Sequence, residues 1–190
     1  GAVAVNPVTN KIYVANYDGN TVTVIDGATN STQTVAVGTE PSTVAVNPVT
    51  NKIYVVNSGS DNVTVIDGTT NSTTTVATDS SPYVVAVNPV TNRIYVQNNG
   101  SNNVTVIDGA TNDTTLVPVG DHPFAVAVNP VTNKIYVTNR GSNNVTVIDG
   151  ATDSTQTVAV GSFPDAMAVN PVTNKVYVVD ANADSVTVID

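Results

Sequence analysis

The chain of 190 residues contains no cysteine, no tryptophan, one methionine and one histidine. The missing cysteine excludes a disulfide framework, a cysteine-based zinc site and a thiol nucleophile. Basic residues are also scarce, six against fifteen acidic ones, and the net charge of −9 argues against binding to nucleic acid or to an anionic membrane. No apolar run approaches the length of a membrane helix, so we expect no membrane insertion.

The residues that are abundant, Val, Thr, Ala and Asn, favour strands and turns over helices. Two strings recur at a spacing of 41 residues, without insertion or deletion. A fixed period of this length indicates one supersecondary unit that is copied and stacked. The hexapeptide Val-Asn-Pro-Val-Thr-Asn begins at Val5, Val46, Val87, Val128 and Val169, and Val-Thr-Val-Ile-Asp ends at Asp26, Asp67, Asp108, Asp149 and Asp190.

Each repeat predicts four short antiparallel strands. In the second repeat, strand-forming runs at 43–46, 52–57, 63–67 and 72–77 are separated by short segments rich in Asn, Gly, Pro and Asp. Four strands in about 40 residues indicate a β-propeller blade. We therefore predict an all-β single domain, a β-propeller of 41-residue four-stranded blades. The blades are expected at approximately residues 1–38, 39–79, 80–120, 121–161 and 162–190.

The second strand of the fourth repeat carries Tyr136-Val137-Thr138-Asn139, which is separated from the hexapeptide by Lys134 and Ile135. Over the whole chain this pattern resembles the YVTN β-propeller repeat family. The resemblance implies blade structure and an extracellular or cell-surface location, because the family is known from archaeal and bacterial surface-layer and other secreted proteins. Family members usually have seven blades, which is more than this chain can form.

The last repeat ends at Asp190, so the predicted fifth blade lacks its outer strand. The favoured interpretation is a closed five-bladed ring with one open outer edge. Two alternatives stay open: a fragment of a larger ring or tandem array, and a fourth strand supplied by another copy through strand addition at residues 186–190. Gly1 is not an initiator methionine and both ends lie inside a repeat, which suggests a processed or excised piece. The inner strands are expected near residues 2–5, 43–46, 84–87, 125–128 and 166–169.

Five of the six basic residues open the second strand of a repeat, and an aspartate closes the third strand of each. We predict cross-strand ion pairs there rather than a polyanion-binding ring. The Asn-Gly loops carry too few carboxylates for calcium, no serine lies in a nucleophile-type motif, and His122 is expected to be a solvated loop residue. We therefore expect no catalytic residue, no metal and no cofactor. The basic residues are Lys11, Lys52, Arg93, Lys134 and Lys175.

Seven Asn-X-Ser/Thr sequons are candidate N-glycosylation sites. Three lie in the turn after the third strand and three in the loop before it, where turn formation alone could account for asparagine. Exposed loops of a surface protein tolerate glycans, so all seven remain candidates. They are Asn30, Asn62, Asn71, Asn99, Asn103, Asn112 and Asn144.

The nearly identical repeats differ mainly in the loops leading into the inner strands and in the loops between the second and third strands. In a four-stranded antiparallel blade both sets of loops lie at the same end. Their aromatic and charged residues therefore predict a contact surface on a rigid scaffold, and drift at tolerant loop tips is the alternative. The candidate residues are Tyr17, Tyr83, His122, Phe124, Arg140, Phe163 and Asp165.

These features favour a non-enzymatic extracellular structural or adhesive protein, a building block of a surface layer, sheath or fibre whose partners are neighbouring copies or tandem propellers. The second hypothesis is a recognition module that binds a glycan, peptide or surface protein on one propeller face. The third is a propeller-type lyase or redox-associated domain. The repeated tyrosines are predicted to be framework residues packed between blades: Tyr13, Tyr54, Tyr95, Tyr136 and Tyr177.

Overall fold

The computed structural model describes all residues from Gly1 to Asp190 and contains nineteen β-strands, with no helix that could span a membrane. The strands form five antiparallel sheets, each a blade, in which consecutive strands are neighbours. Blades 1 to 4 have four strands and blade 5 has three. In chain order the strands are β1 (Val3–Asn6), β2 (Lys11–Asn16), β3 (Thr21–Asp26), β4 (Thr32–Ala36), β5 (Pro41–Asn47), β6 (Lys52–Asn57), β7 (Asn62–Asp67), β8 (Thr73–Ala77), β9 (Pro82–Asn88), β10 (Arg93–Asn98), β11 (Asn103–Asp108), β12 (Thr114–Pro118), β13 (Pro123–Asn129), β14 (Lys134–Asn139), β15 (Asn144–Asp149), β16 (Thr155–Ala159), β17 (Pro164–Asn170), β18 (Lys175–Asp180) and β19 (Ser185–Ile189).

Blades 2, 3 and 4 are apolar on both faces, because each is packed between two neighbouring blades. In blade 2, Tyr54 is paired with Val65 and Val55 with Thr64, and successive side chains point to opposite faces. Tyr54 and Val55 are nevertheless both fully buried. This two-sided burial explains the nearly continuous apolar runs in the sequence. The predicted β-propeller fold of five blades, the last without its outer strand, is confirmed.

Two kinds of face meet between neighbouring blades. The leading face packs against the preceding blade, and in blade 2 it carries Ile53, Val55 and Ile66; the trailing face packs against the following blade, and in blade 1 it carries Tyr13 and Val22. The same pairing recurs between blades 2 and 3, 3 and 4, and 4 and 5. Each fully buried large apolar side chain contributes about 1.5–3 kcal/mol, so these four interfaces hold the fold together.

The ring does not close between blades 5 and 1. On the leading face of blade 1, Val3 is 65% exposed, whereas its counterpart Val44 in blade 2 is 6% exposed. On the trailing face of blade 5, Tyr177 is 40% exposed, whereas Tyr95 in blade 3 is 0% exposed. The prediction of a closed ring is therefore wrong, and the blades form an open arc with one uncovered face at each end. The predicted burial of the repeated tyrosines is confirmed in blades 1 to 4 and wrong for Tyr177, which no following blade covers.

The repeated hexapeptide connects neighbouring blades. In blade 2, the Asn47 side-chain oxygen accepts a hydrogen bond of 3.1 Å from the Val49 backbone N–H and shapes the turn. The Asn47 side-chain nitrogen donates to Asn92 Oδ1 of blade 3 at 2.9 Å. The turn closes through Asn51, whose φ of 54° lies in the left-handed region that asparagine tolerates. The motif is thus accounted for by the framework.

The last asparagine of each Tyr-Val-X-Asn string ties the second strand to the third. In blade 3, the buried Asn98 donates through Nδ2 to Asn103 Oδ1 at 2.7 Å and to Thr105 Oγ1 at 2.8 Å. Equivalent bonds occur in blades 2 and 4. In blade 5, Asp180 replaces the asparagine and accepts a bond of 2.6 Å from the Thr187 hydroxyl.

The predicted cross-strand ion pairs are wrong for the first three basic residues. Lys52 and Asp67 are paired in register, but the Lys52 ammonium donates to the Gly109 carbonyl of the next blade at 2.7 Å. The Asp67 carboxylate instead accepts backbone N–H groups from Thr70 and Thr69, which hold its pKa below the ordinary value. The long, positively charged Lys52 side chain therefore connects two neighbouring blades rather than two strands of one blade. Ion pairs within one blade remain only at Lys134–Asp149 and Lys175–Asp190.

Blade 5 presents β19 as an edge strand with no outer neighbour. We expect an extension that copies residues 150–160, and so supplies the strand equivalent to β16, to raise the melting temperature. The new strand would pair the free backbone groups of β19, a net gain on the order of 1–2 kcal/mol and about 2–8 °C. The measurement is thermal unfolding followed by circular dichroism. An extension of the same length with prolines in place of the copied Thr155 and Thr157 is the control, because proline cannot donate a backbone hydrogen bond. Equal melting of the two extended chains would contradict the prediction.

Candidate binding site

The seven predicted contact residues lie at one end of the blades, which we call the variable face. It is formed by the loops between the second and third strands and by the segments leading into the inner strands. Tyr83, Phe124 and Asp165 follow the prolines that begin β9, β13 and β17, and Arg140 directly follows β14. The structure brings most of these residues together because the first strands of neighbouring blades adjoin one another at the centre.

Arg140 is the centre of this arrangement. Its guanidinium carbon lies 3.0 Å from the centroid of the Phe124 ring and 4.7 Å from that of Phe163, within the range of cation–π attraction. Its Nη2 atom lies 2.5 Å from Asp165 Oδ1. The ion pair and the two rings hold the guanidinium in place and offset its charge. Its Nε atom is buried and has no hydrogen-bond partner.

Two adjoining hollows are formed around Arg140. The first hollow has a volume of about 380 Å³ and lies against Tyr83, Phe124 and Glu40. The second hollow has a volume of about 430 Å³ and lies against Phe163 and Phe124. Asn99, Phe124 and Arg140 line both, so the two form one continuous depression across blades 2 to 5. Each is within the usual size range of ligand pockets, about 300–1,000 Å³.

Gln97 was not among the predicted site residues. Its side chain is fully buried and lines the first hollow, and its amide nitrogen donates to the Pro123 carbonyl of the next blade. Its Oε1 atom has no partner. The other blades carry Ala15, Val56, Thr138 or Val179 at this register position. A signal was therefore present in the sequence, since only blade 3 places a long polar side chain there.

Tyr17 and His122 lie at the margins of the depression. The Tyr17 hydroxyl donates a hydrogen bond of 3.0 Å to Glu40 Oε2, and this bond raises the pKa of Tyr17 above its ordinary value. His122 is exposed, lines the second hollow, and donates its backbone N–H to Asn102 Oδ1 at 3.0 Å. Tyr17 of blade 1 thus holds the Glu40 carboxylate of blade 2 in place. His122 borders the second hollow, which Phe163 also lines.

Positions with positive φ are occupied by asparagine or aspartate throughout the chain, except in the segments leading into the inner strands. Eighteen non-glycine residues have positive φ, and fourteen of them are asparagine or aspartate, which tolerate this region. The other four all precede the proline that begins an inner strand. Backbone conformation alone would favour asparagine there, so local geometry does not explain their identity. They are Glu40, Ser81, His122 and Phe163.

The sequons differ in accessibility. Asn30 is exposed in the turn after β3, and Asn71, Asn99 and Asn112 are half-buried. Asn62, Asn103 and Asn144 were expected in exposed loops, which is wrong: each begins a strand, is half-buried or buried, and accepts a hydrogen bond from the preceding strand. Pairing with the second strand draws these three side chains inward, so Asn30 is the most accessible of the seven candidates.

No family model and no curated protein matches the chain. Solved structures do match it, and at 14–24% identity they establish the β-propeller fold. Kuenenia stuttgartiensis hydrazine synthase has a TM-score of 0.79 and 24% identity over 93% of this chain and 54% of that chain. A nidogen/laminin complex has a TM-score of 0.74 and 14% identity over 100% of this chain and 74% of that chain. Dihydro-heme d1 dehydrogenase NirN in complex with DHE has a TM-score of 0.81 and 16% identity over 98% and 43%, so the chain spans about half the length of the first and third of these proteins.

Proposed function

We propose that the chain is a non-enzymatic structural building block of an extracellular surface layer, sheath or fibre, which assembles head to tail with further copies of itself. The observation that carries this proposal is the pair of uncovered apolar faces at the ends of the arc. Val3 and Val5 are exposed at one end, and Val186 and Val188 at the other. Contiguous exposed apolar surface of this kind marks sites of protein association.

The two end faces are complementary because each belongs to an interface already present four times within the chain. The trailing face of blade 5 has the residue types that blades 1 to 4 present to their following blade. The leading face of blade 1 likewise has the residue types that blades 2 to 5 present to their preceding blade. Val188, for instance, is exposed, whereas its counterparts Val65 and Val106 are buried. A second copy therefore supplies the complementary apolar face that each end of the arc lacks.

The polar contacts between blades would continue across such a junction. Asn47 and Asn129 donate to an asparagine in the following blade at 2.9 Å and 3.1 Å, and Asn170 has the same position in blade 5 without a following blade. Its amide would meet Asn10 of the next copy. Contact between unlike faces is heterologous and extends into a larger ring or an open filament.

The resemblance to YVTN repeats of surface-layer and secreted proteins supports an extracellular assembly role. The charge of −9 opposes association at low ionic strength, and salt screens this repulsion. Blade 5 of these 190 residues has three strands and the other blades have four, so the junction tested with this chain is smaller than the interfaces inside it, and we expect reversible association that becomes stronger with salt.

Sedimentation velocity at increasing protein and salt concentration tests the proposal. We expect Val188→Lys and Val5→Lys each to raise the dissociation constant at least tenfold, because each places a charge in an apolar contact. Val90→Lys is the control, since Val90 is exposed in a turn away from both end faces. A mixture of the Val188→Lys and Val5→Lys chains should stop at dimers, because only one junction can form. A wild-type protein that stays monomeric, or end variants that associate like the wild type, would contradict head-to-tail assembly.

A further inference from the structure

We propose that the two hollows of the variable face form one binding site for a neutral glycan, a short chain of pyranose rings. This function is independent of end-to-end assembly, because the depression lies across blades 2 to 5 and contains neither end face. The two hollows share Asn99, Phe124 and Arg140, so consecutive sugar rings could occupy them in turn.

Aromatic side chains provide the surfaces on which sugar rings stack. Tyr83 is 52% exposed at the first hollow and Phe163 is partly exposed at the second. Phe124 lines both hollows, and its ring packs against the Arg140 guanidinium. A pyranose ring has an apolar face of C–H groups that packs on an aromatic ring, with hydroxyl groups around its edge. Exposed aromatic residues on a rigid scaffold are suited to such contacts, because little conformational entropy is lost on binding.

Neutral polar side chains surround the aromatic surfaces. Ser58, Ser81 and Asn99 line the first hollow, and hydroxyl and amide groups of this kind can both donate and accept hydrogen bonds with sugar hydroxyls. Proline-rich peptides are recognised by grooves lined mainly with aromatic residues, whereas most side chains of the first hollow are polar. The composition of the walls therefore favours a hydroxyl-rich ligand.

The charges of the depression favour a neutral glycan over an acidic one. Arg140 is the one lysine or arginine that lines the hollows, and Asp165 already pairs with it. Glu40 adds a further negative charge at the first hollow, and the chain as a whole has a net charge of −9. A carboxylate or sulfate on the ligand would meet repulsion with no free cation to offset it.

Two features of the floor and rim have no explanation in the framework. Gln97 carries a buried oxygen without a partner where other blades carry alanine, valine or threonine, and a buried unpartnered polar atom weakens a fold. At the rim, Ser81, His122 and Phe163 have left-handed backbone conformations that asparagine would adopt more readily. Both features depart from the residue type that folding would favour and lie at the same depression, which is the pattern expected where residues are chosen for binding rather than for folding.

The experiment is a microarray of defined neutral and acidic glycans probed with the intact chain, followed by isothermal titration with the strongest soluble oligosaccharide. We expect binding to neutral glycans, and a loss of about tenfold or more in affinity for Tyr83→Ala, which removes a stacking surface. Leu116→Ala is the matched control, because Leu116 is also 52% exposed but lies on the outer strand β12. Its affinity should equal that of the wild type.

A second variant separates binding from folding. Gln97→Val introduces the residue that blade 2 carries at this position, and the Pro123 carbonyl keeps a hydrogen bond of 2.9 Å from Asn99. We expect its melting temperature to rise by about 2–8 °C while glycan affinity falls. The proposal is overturned if no neutral glycan binds, if only acidic glycans or proline-rich peptides bind, if Tyr83→Ala binds like the wild type, or if Gln97→Val melts lower with unchanged affinity.

Discussion

Replacing Tyr95 with alanine is expected to lower the free energy of unfolding by about 3–5 kcal/mol, the usual cost of removing a buried aromatic side chain. Tyr95 is fully buried in the cluster that joins blades 3 and 4, where it packs with Val104, Val126 and Ile135. Its removal leaves a cavity between two rigid sheets that cannot easily move together. Chemical denaturation at a low, fixed protein concentration measures the effect.

The repeat supplies a matched control at the same register position. Tyr177→Ala should cost less than about 1.5 kcal/mol, because Tyr177 is exposed on the trailing face of blade 5. Tyr95→Phe should change stability by about 1 kcal/mol or less, since the Tyr95 hydroxyl is buried without a hydrogen-bond partner and burial raises its pKa. Equal costs for Tyr95→Ala and Tyr177→Ala would refute the open arc, because both tyrosines would then be packed between blades.

Replacing Asn88 with alanine should cost about 2–4 kcal/mol, because one buried side chain serves both a turn and the contact between blades. Asn88 Oδ1 accepts a hydrogen bond of 3.1 Å from the Val90 backbone N–H, and Nδ2 donates to Asn133 Oδ1 of blade 4 at 2.8 Å. Alanine removes both bonds and leaves a cavity at the position of the buried Asn88 amide. The same denaturation experiment measures the loss.

The equivalent asparagine of blade 5, Asn170, makes the turn contact without the hydrogen bond to a following blade. It keeps the turn contact, a bond of 3.0 Å from the Val172 N–H, but no blade follows to receive its amide. We therefore expect Asn170→Ala to cost about 1 kcal/mol, and the difference from Asn88→Ala to measure the bond between blades together with the greater burial of Asn88, since Asn170 is half-buried. Asn88→Asp should keep the turn and lose the donor, with an intermediate cost. If Asn88→Ala and Asn170→Ala were equally destabilising, the hydrogen bond between blades would contribute nothing measurable.

The variable face shows how far sequence comparison within one chain can reach. Tyr83, Phe124 and Arg140 were identified because they interrupt near-identical repeats, and the structure places all three at one depression. Gln97 interrupts the repeat as well but lies inside a strand, where a polar residue looks like an ordinary variation. Its importance depends on the burial of its oxygen and on its contact with Pro123 of the next blade. Neither property can be recognised until the blades are placed side by side.

The sequence by itself determined the blades. Strand pairing is local, because each strand meets the next across a short turn, and the 41-residue period with its Asn, Gly and Pro turns specifies the register. Only the tertiary structure decided how blades meet: that the arc stays open, that Lys52 reaches Gly109 rather than Asp67, and that Arg140 lies between two phenylalanine rings. The physical reason is that these contacts depend on the angle and spacing between rigid sheets. That geometry is set by the packing of whole apolar faces, and no short segment of the sequence records it.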